Sequence, residues 1–508
     1  MNAAQAVHDK RPVFTHGSLI RHVAVMTSTG AIGLMAVFAV DLLSLFWVSK
    51  LGDQAFKAAV GYVGLITFFV MSINIGLTIA ASATVSRALG AGDRPRARRL
   101  AASSLAITLV FSAAMAAAMI VLRDWILSTV LHAHGESAEV ASKFIAISMP
   151  ANVPLALGIT LSGVLRAVGD ARRAMYVTLS AGAATAVLDP LLIFGLGLGV
   201  YGAAWATVLS RLIMLVVGWS GAAGVHNLVA RPKLGAVRGD FGPIMAIGFP
   251  AIMANMAAPV SSAYTWRIFS DFGEAAIAAY AVIDRVTPVA FGVIFALSGS
   301  IGPIIGQNVG AKLMGRVRRA LTDAFILSIG YVLVAWMVLA LAAPLLIAAF
   351  EARGESADYV AFYCRYGVSA WLFLACLFVA NAAFNNLGFP VLAMAFNWTR
   401  ATLGTIPFVT VGARFWGVKG GLVGFALGAA LFGVLAVGTA YFVTWRLAKG
   451  FDGADRAGSR RTAAVGGRGL KTRALISWKR VGDIGEGRVE AGAGGADAGY
   501  DRERDAGA

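Results

Sequence analysis

Two aspartates stand where an acid is costly. Asp41 lies within the apolar run from Ala31 to Val48, and a carboxylate carried into hydrocarbon is strongly disfavoured unless it is paired, hydrated or protonated. Such a group is suited to exchanging a proton or holding a small cation; it serves structure instead if hydroxyls such as Thr27 and Ser44 hydrogen-bond to it. Asp189 precedes Pro190 and follows Thr185 by one helical turn. Proline removes a helical donor and frees the carbonyl a turn earlier, so a carboxylate, a hydroxyl and a carbonyl can converge there on a cation. Alternatively, the Asp-Pro pair caps or kinks the helix. Asp41, Asp189, Ser44 and Thr185 are therefore the candidates for proton or ion coupling, with sodium near Asp41 and Asp189 as the metal ion this chemistry suits. Asp284 and Arg285 are adjacent, hence about 100° apart around a helix. Each is expected to pair across the bundle, holding helices together or gating a passage, and Pro190 is grouped with them as a structural element.

Neutral polar groups come from Asn74, Asn152, Asn255 and Asn381, and aromatic surface from Tyr264 and Phe291. A pocket lined by carboxylates and aromatics attracts amphipathic organic cations, although most aromatics in an apolar chain face lipid or core. Other patterns carry no chemistry. Gly195-Leu196-Gly197-Leu198-Gly199 resembles a dinucleotide turn but sits between two apolar runs without a βαβ context, and Gly90-Ala91-Gly92-Asp93 lacks the Lys-Ser/Thr of a phosphate loop. His132 and His134 have no ligand cluster around them. Neither a cofactor nor direct use of ATP is expected.

The elements that must position these residues are membrane helices. The chain has 508 residues, 58% hydrophobic and 14% charged, with a mean hydropathy of +0.75, against roughly 25% charge in a soluble domain. Twelve apolar runs are expected at 20–48, 56–83, 98–122, 139–164, 173–196, 200–221, 243–268, 277–304, 320–350, 358–385, 389–412 and 418–446. Each is long enough to cross a hydrocarbon core about 30 Å thick. Membrane strands would alternate in polarity, whereas the stretch from Leu100 to Leu122 is apolar on every face. The first run is too long for the core of a signal peptide. Cys364 and Cys376 fall within one apolar segment and imply no disulfide framework.

The chain also repeats itself. Leu89-Gly90-Ala91, followed by Arg99, returns about 220 residues later as Val309-Gly310-Ala311, followed by Arg319; Gly169 pairs with Gly388, and Val200-Tyr201-Gly202 with Val418-Lys419-Gly420. Six spans per half bring both halves into the membrane from the same side, so the expected fold is all-α, with two six-helix lobes related by a pseudo-twofold along the membrane normal. The expected boundaries are a terminal segment 1–19, lobes 20–221 and 243–446, a linker 222–242 and a disordered tail 447–508. The net charge of +17 would suggest nucleic acid in a soluble chain. Here the basic residues concentrate in alternate loops, such as Arg94, Arg96, Arg98 and Arg99 or Lys312, Arg316, Arg318 and Arg319, while the opposite loops carry Asp124, Glu136 and Glu139. Basic loops stay cytoplasmic, which puts both termini inside. The expected partners are thus the phospholipid bilayer and a small organic cation, not nucleic acid, with the chain acting as a monomer.

Ser86-Arg87-Ala88-Leu89-Gly90-Ala91-Gly92-Asp93, Leu165-Arg166-Ala167-Val168-Gly169-Asp170, the run from Val187 to Gly195 leading into Gly199-Val200-Tyr201-Gly202, and Ile305-Gly306-Gln307-Asn308-Val309-Gly310-Ala311 resemble the multidrug and toxic compound extrusion (MATE) family. The resemblance covers residues 20 to 446. It implies twelve helices in two lobes and export of cationic drugs or metabolites in exchange for protons or sodium, in the inner membrane of a prokaryote. This sequence departs from the family pattern in three places. The family often sets its first-span acid where Ser44 stands, typically has Asn where Thr185 stands, and in some members has a Glu in span 7, where Ala254 to Ser262 contains no acid. These departures favour a coupling site built on Asp41 and Asp189 in the first lobe. A lipid-linked precursor flippase of related architecture is the alternative. It calls for a cationic cavity, whereas the basic residues here lie in loops, with Arg285 the exception.

Overall fold

The computed structural model describes the backbone of residues 12–49 and 54–464. After a short turn, Val13–Thr15, the first half contains α1 (Leu19–Ser49), α2 (Gln54–Gly90), α3 (Arg94–Trp125), α4 (Glu136–Ser148), α5 (Asn152–Val168), α6 (Ala171–Pro190) and α7 (Val200–Trp219). The second half contains α8 (Leu234–Ser270), α9 (Glu274–Gly310), α10 (Met314–Ala349), α11 (Glu355–Arg365), α12 (Ala370–Leu387), α13 (Pro390–Thr399) and α14 (Ile406–Ala464). Apolar sequence drives these helices into lipid, and local chemistry sets their ends. Asp93 and Asp170 cap α3 and α6 by accepting from the backbone N–H of Arg96 and Arg173.

Some spans are two helices in series. Met149–Ala151 interrupts the crossing made by α4 and α5, where Pro150 offers no N–H, and Gly367–Ser369 interrupts that of α11 and α12. A wide turn, Arg400–Gly404, joins α13 to α14. The reverse happens at Trp416 (φ −144°, ψ 29°) and Gly417 (φ 57°, ψ −146°), where α14 breaks and starts a further crossing. Among the described residues there are thus twelve crossings in an all-α polytopic membrane fold of two six-helix lobes.

The duplication reaches down to single dihedral angles. Gly169 (φ 96°, ψ 10°) ends α5 as Gly388 (φ 97°, ψ 17°) ends α12. Gly199 (φ 57°, ψ −139°) opens α7 as Gly417 opens the last crossing, and Gly135 (φ 68°, ψ −152°) opens α4 as Gly354 (φ 56°, ψ −135°) opens α11. Two boundaries differ from expectation. α8 begins at Leu234, inside the expected linker, because Asp240 is drawn onto α3 by Arg99 and Ser103. The last helix runs to Ala464, past the expected start of the tail at 447; residues from 465 onward lie outside those described.

The two lobes meet chiefly through α1 and α2 on one side and α8 and α9 on the other. At the end carrying the basic loops the contact is reciprocal. Gly90 packs on the backbone of Gln307, and Gly310 on the backbone of Arg87, leaving no room for a Cβ at either glycine. Arg87 Nη2 donates to the carbonyl of Asn385 (2.6 Å), and Gln307 Nε2 to that of Ala167 (2.7 Å), so each lobe grips the other's helix end just before its left-handed glycine. Phe14 sits in this seam. Its N–H donates to Gln307 Oε1 (2.9 Å), its carbonyl accepts from Asn308 Nδ2 and Arg316 Nη2 (both 3.1 Å), and its buried ring lies against Gly169.

Candidate functional site

Helices α1 and α6 pack along their length. The backbone of Ala36 on α1 lies beside Gly182 on α6, and Thr178 of α6 fills the space over Gly33. That packing carries Ser44 to Asp189, and the Ser44 hydroxyl donates to Asp189 Oδ2. Asp189 is 1% exposed, and its Oδ1 is sealed from solvent with no hydrogen-bond partner. A buried oxygen without a donor is expensive, so Oδ1 is a position that a proton or a cation would fill. Pro190 cannot donate to the carbonyl of Ala186, and the next N–H, of Leu191, turns to Leu188 instead. The chain then loosens into the wide turn Leu191–Gly195. Ser44, Asp189 and Pro190 are therefore brought together.

Other expected members fall elsewhere. Thr185 spends its hydroxyl on Ala181 of its own helix. Asp41 lies on α1 three residues before Ser44, but its side chain falls outside the described residues. Thr27, four turns earlier on α1 and hence about 21 Å away along the axis, cannot reach it; its hydroxyl is buried and unbonded.

The substrate-cavity candidates divide in the same way. Asn74 Nδ2 donates to Asn152 Oδ1 (2.7 Å) in the buried interior of the first lobe, where Thr78, Thr108 and Thr160 continue the polar ladder. Asn255 bonds back to Ala251 on its own helix, and Tyr264 shares a hydrogen bond with Thr410 (2.5 Å). Phe291 is fully buried and stacks on Trp371 with ring centroids 4.3 Å apart, so it stands in the core of the second lobe. Asn381 is buried, and its Oδ1 lacks a partner. Asp284 and Arg285 are exposed on α9, and neither forms an ion pair among the described residues, contrary to the expected pairing across the bundle. Two consecutive positions on one helix diverge too far to share a buried partner.

The bundle also embeds cations, which the acidic candidates leave aside. Arg87, Arg166 and Arg400 all lie within helical spans, not in loops. Arg400 stands midway along the eleventh span and is 7% exposed; an arginine inside an apolar run is itself the signal that marks it.

Two lobes of six crossings in a duplicated all-α membrane fold give the class, a secondary active transporter driven by an ion gradient rather than an enzyme, and the family bears it out. The chain belongs to the MatE family, whose model matches residues 31–191 and 250–411, one match in each half. It is 28% identical over 428 residues to the FAD transporter of Shewanella oneidensis, covering 80% of this chain and 91% of that protein. It is 26% identical to the probable multidrug resistance protein NorM of Thermotoga maritima, covering 55% of this chain and 61% of the relative. Among solved structures, the Vibrio cholerae MATE transporter VcmN shares the fold with a TM-score of 0.80 at 22% identity, over 85% of this chain and 97% of that one.

Proposed function

We propose that the protein exports organic cations, drugs or toxic metabolites in exchange for protons or sodium, and that Asp189 with Ser44 is the coupling site. The observation that carries this reading is the pair of unequal oxygens on Asp189, one bonded to Ser44 and one without a donor. A proton on Oδ1 would remove the buried negative charge while Oδ2 keeps the Ser44 bond. Sodium would draw on the carboxylate, the Ser44 hydroxyl and the Ala186 carbonyl together. Asp41, three residues from Ser44, belongs to the same site in this reading. One carboxylate cannot hold the ion and favour a cationic cargo equally well, so ion entry from one side expels cargo toward it. The lobes 20–221 and 243–446 rock about the seam, the basic loops and both termini face the cytoplasm of a prokaryotic inner membrane, and the chain works as a monomer. Its relatives, a FAD transporter and a probable multidrug resistance protein, support an organic cargo.

The test is ethidium efflux from proteoliposomes of fixed orientation, under a proton gradient and a sodium gradient applied separately. Efflux driven by one gradient should fall about a hundredfold in Asp189→Asn, the range expected when a group used in the rate-determining state is removed, with the protein still folded. Unchanged efflux in that variant would remove Asp189 from the coupling site.

A further inference from the structure

The second lobe encloses a charge that has no ion-pair partner among the described residues. Arg400 begins the wide turn between α13 and α14 and is 7% exposed. Its guanidinium makes no hydrogen bond or ion pair among the described residues, and none of its nitrogens is sealed, so each retains a little accessible surface. The group is therefore almost enclosed yet keeps a small accessible surface at its nitrogens. Arg87 and Arg166 differ from it: both donate to protein acceptors, and their Nε atoms are closed off. No described acid lies within ion-pair distance of Arg400. Asp240 is held by Arg99 and Ser103, and Asp323 by Arg319.

A second incomplete group lies at the same level. α12 and α13 run antiparallel through the turn at Gly388, and Phe384 stacks on Phe396 with centroids 5.6 Å apart. Asn381 is one turn back from Phe384 and Arg400 one turn on from Phe396, so both lie about 5 Å beyond the stacked rings, on neighbouring helices. Asn381 Oδ1 is sealed and unbonded, and its Nδ2 makes no hydrogen bond. A guanidinium fork and an amide N–H at one level of neighbouring helices make a donor set that fits a phosphate or carboxylate, and an unpaired buried cation is costly until such a group arrives.

We propose that Arg400, with Asn381, forms an anion subsite in the interior of the second lobe, and that the cargo of this transporter includes organic compounds bearing a phosphate or carboxylate. This rests on the antiport reading and adds the charge of the cargo: the first lobe's carboxylate serves the ion, and the second lobe's guanidinium receives the acidic end of an amphoteric or anionic substrate.

The full-length protein in nanodiscs of phosphatidylcholine alone is titrated with riboflavin 5′-phosphate and with riboflavin, which differ only in the phosphate, and binding is followed by fluorescence anisotropy. The wild type should bind the phosphate ester about tenfold tighter. Arg400→Gln should erase that preference while leaving riboflavin binding in place, and Arg400→Lys, which keeps the charge without the fork, should retain part of it. Ligand-free Arg400→Gln should melt no lower than wild type, since it removes an unbalanced charge. A wild type indifferent to the phosphate, a preference that survives Arg400→Gln, or a ligand-free melting point that falls in both variants overturns the proposal. Nanodiscs doped with phosphatidylglycerol separate cargo from lipid: displacement of the phosphate ester by this lipid would assign the subsite to a headgroup and overturn the cargo reading. Asp189→Asn should lose gradient-driven efflux yet keep the phosphate preference, so the coupling and cargo readings fail independently.

Discussion

Asp170 shows how much one side chain can organise outside the membrane. Its Oδ1 accepts from the backbone N–H of Arg173, and its Oδ2 from the Arg173 guanidinium (2.6 Å); the His226 ring lies 2.8 Å from that same oxygen, tying the loop after α5 to the loop after α7. Burial alone would raise its pKa, but the His226 contact and the two Arg173 bonds outweigh burial and hold the carboxyl well below the ordinary carboxylate range. A carboxyl that titrates lower folded than unfolded contributes stability that is whole above the ordinary pKa of about 3.9 and fades as pH falls from there toward the folded value. Asp170→Asn should therefore cost about 2 kcal/mol at neutral pH. In thermal melts the gap to wild type should narrow below about pH 4; a gap independent of pH would mean that the loop is held by shape alone. The sequence makes Asp189, Ser44 and Pro190 legible as chemistry, because an acid in an apolar run is conspicuous. It does not show that Ser44 and Asp189 meet, since that depends on α1 lying along α6. An aromatic such as Phe291 reads identically whether it lines a cavity or fills a core, and only its stacking on Trp371 decides.

At the scale of elements, the repeated Leu-Gly-Ala and Val-Gly-Ala tripeptides have a packing reason. Gly90 on α2 and Gly310 on α9 each leave space for the other helix's backbone, at Gln307 and Arg87 respectively. The repeat is visible in the sequence because this crossing needs a residue without a Cβ on both sides; the identity of the facing helix is not visible, because nothing local encodes it. Gly90→Ala and Gly310→Ala should have similar effects, each forcing the seam apart by a Cβ. Distances between spin labels on the loops at positions 93 and 313, measured in a background lacking Cys364 and Cys376, should shift toward longer values in both variants. An effect confined to one variant would show that the seam is not reciprocal. The early start of α8 was hidden for a related reason. Residues 234–242 are too polar to count as a span, and they become helical because Asp240 finds Arg99 on another helix.

For the whole molecule, the sequence carries the class of fold and the duplication, through hydropathy and loop charge. If the basic loops face the cytoplasm, a reporter active only outside the membrane and fused after Gly450 should stay silent, whereas one inserted in the loop between α3 and α4 should be active; the opposite pattern would invert the molecule. The symmetry is also broken at one place. Gln307 and Arg87 are equivalent jaws of one latch, yet Phe14 loads only the Gln307 jaw, and the matching position 220 residues later, Leu234, is 86% exposed. The Arg87 jaw can release by breaking a single hydrogen bond to Asn385, while the Gln307 jaw must also unseat an aromatic plug held by Asn308 and Arg316. Two halves that are nearly copies of each other are therefore fastened unequally, one jaw bare and the other wedged by a segment that the repeat does not supply twice.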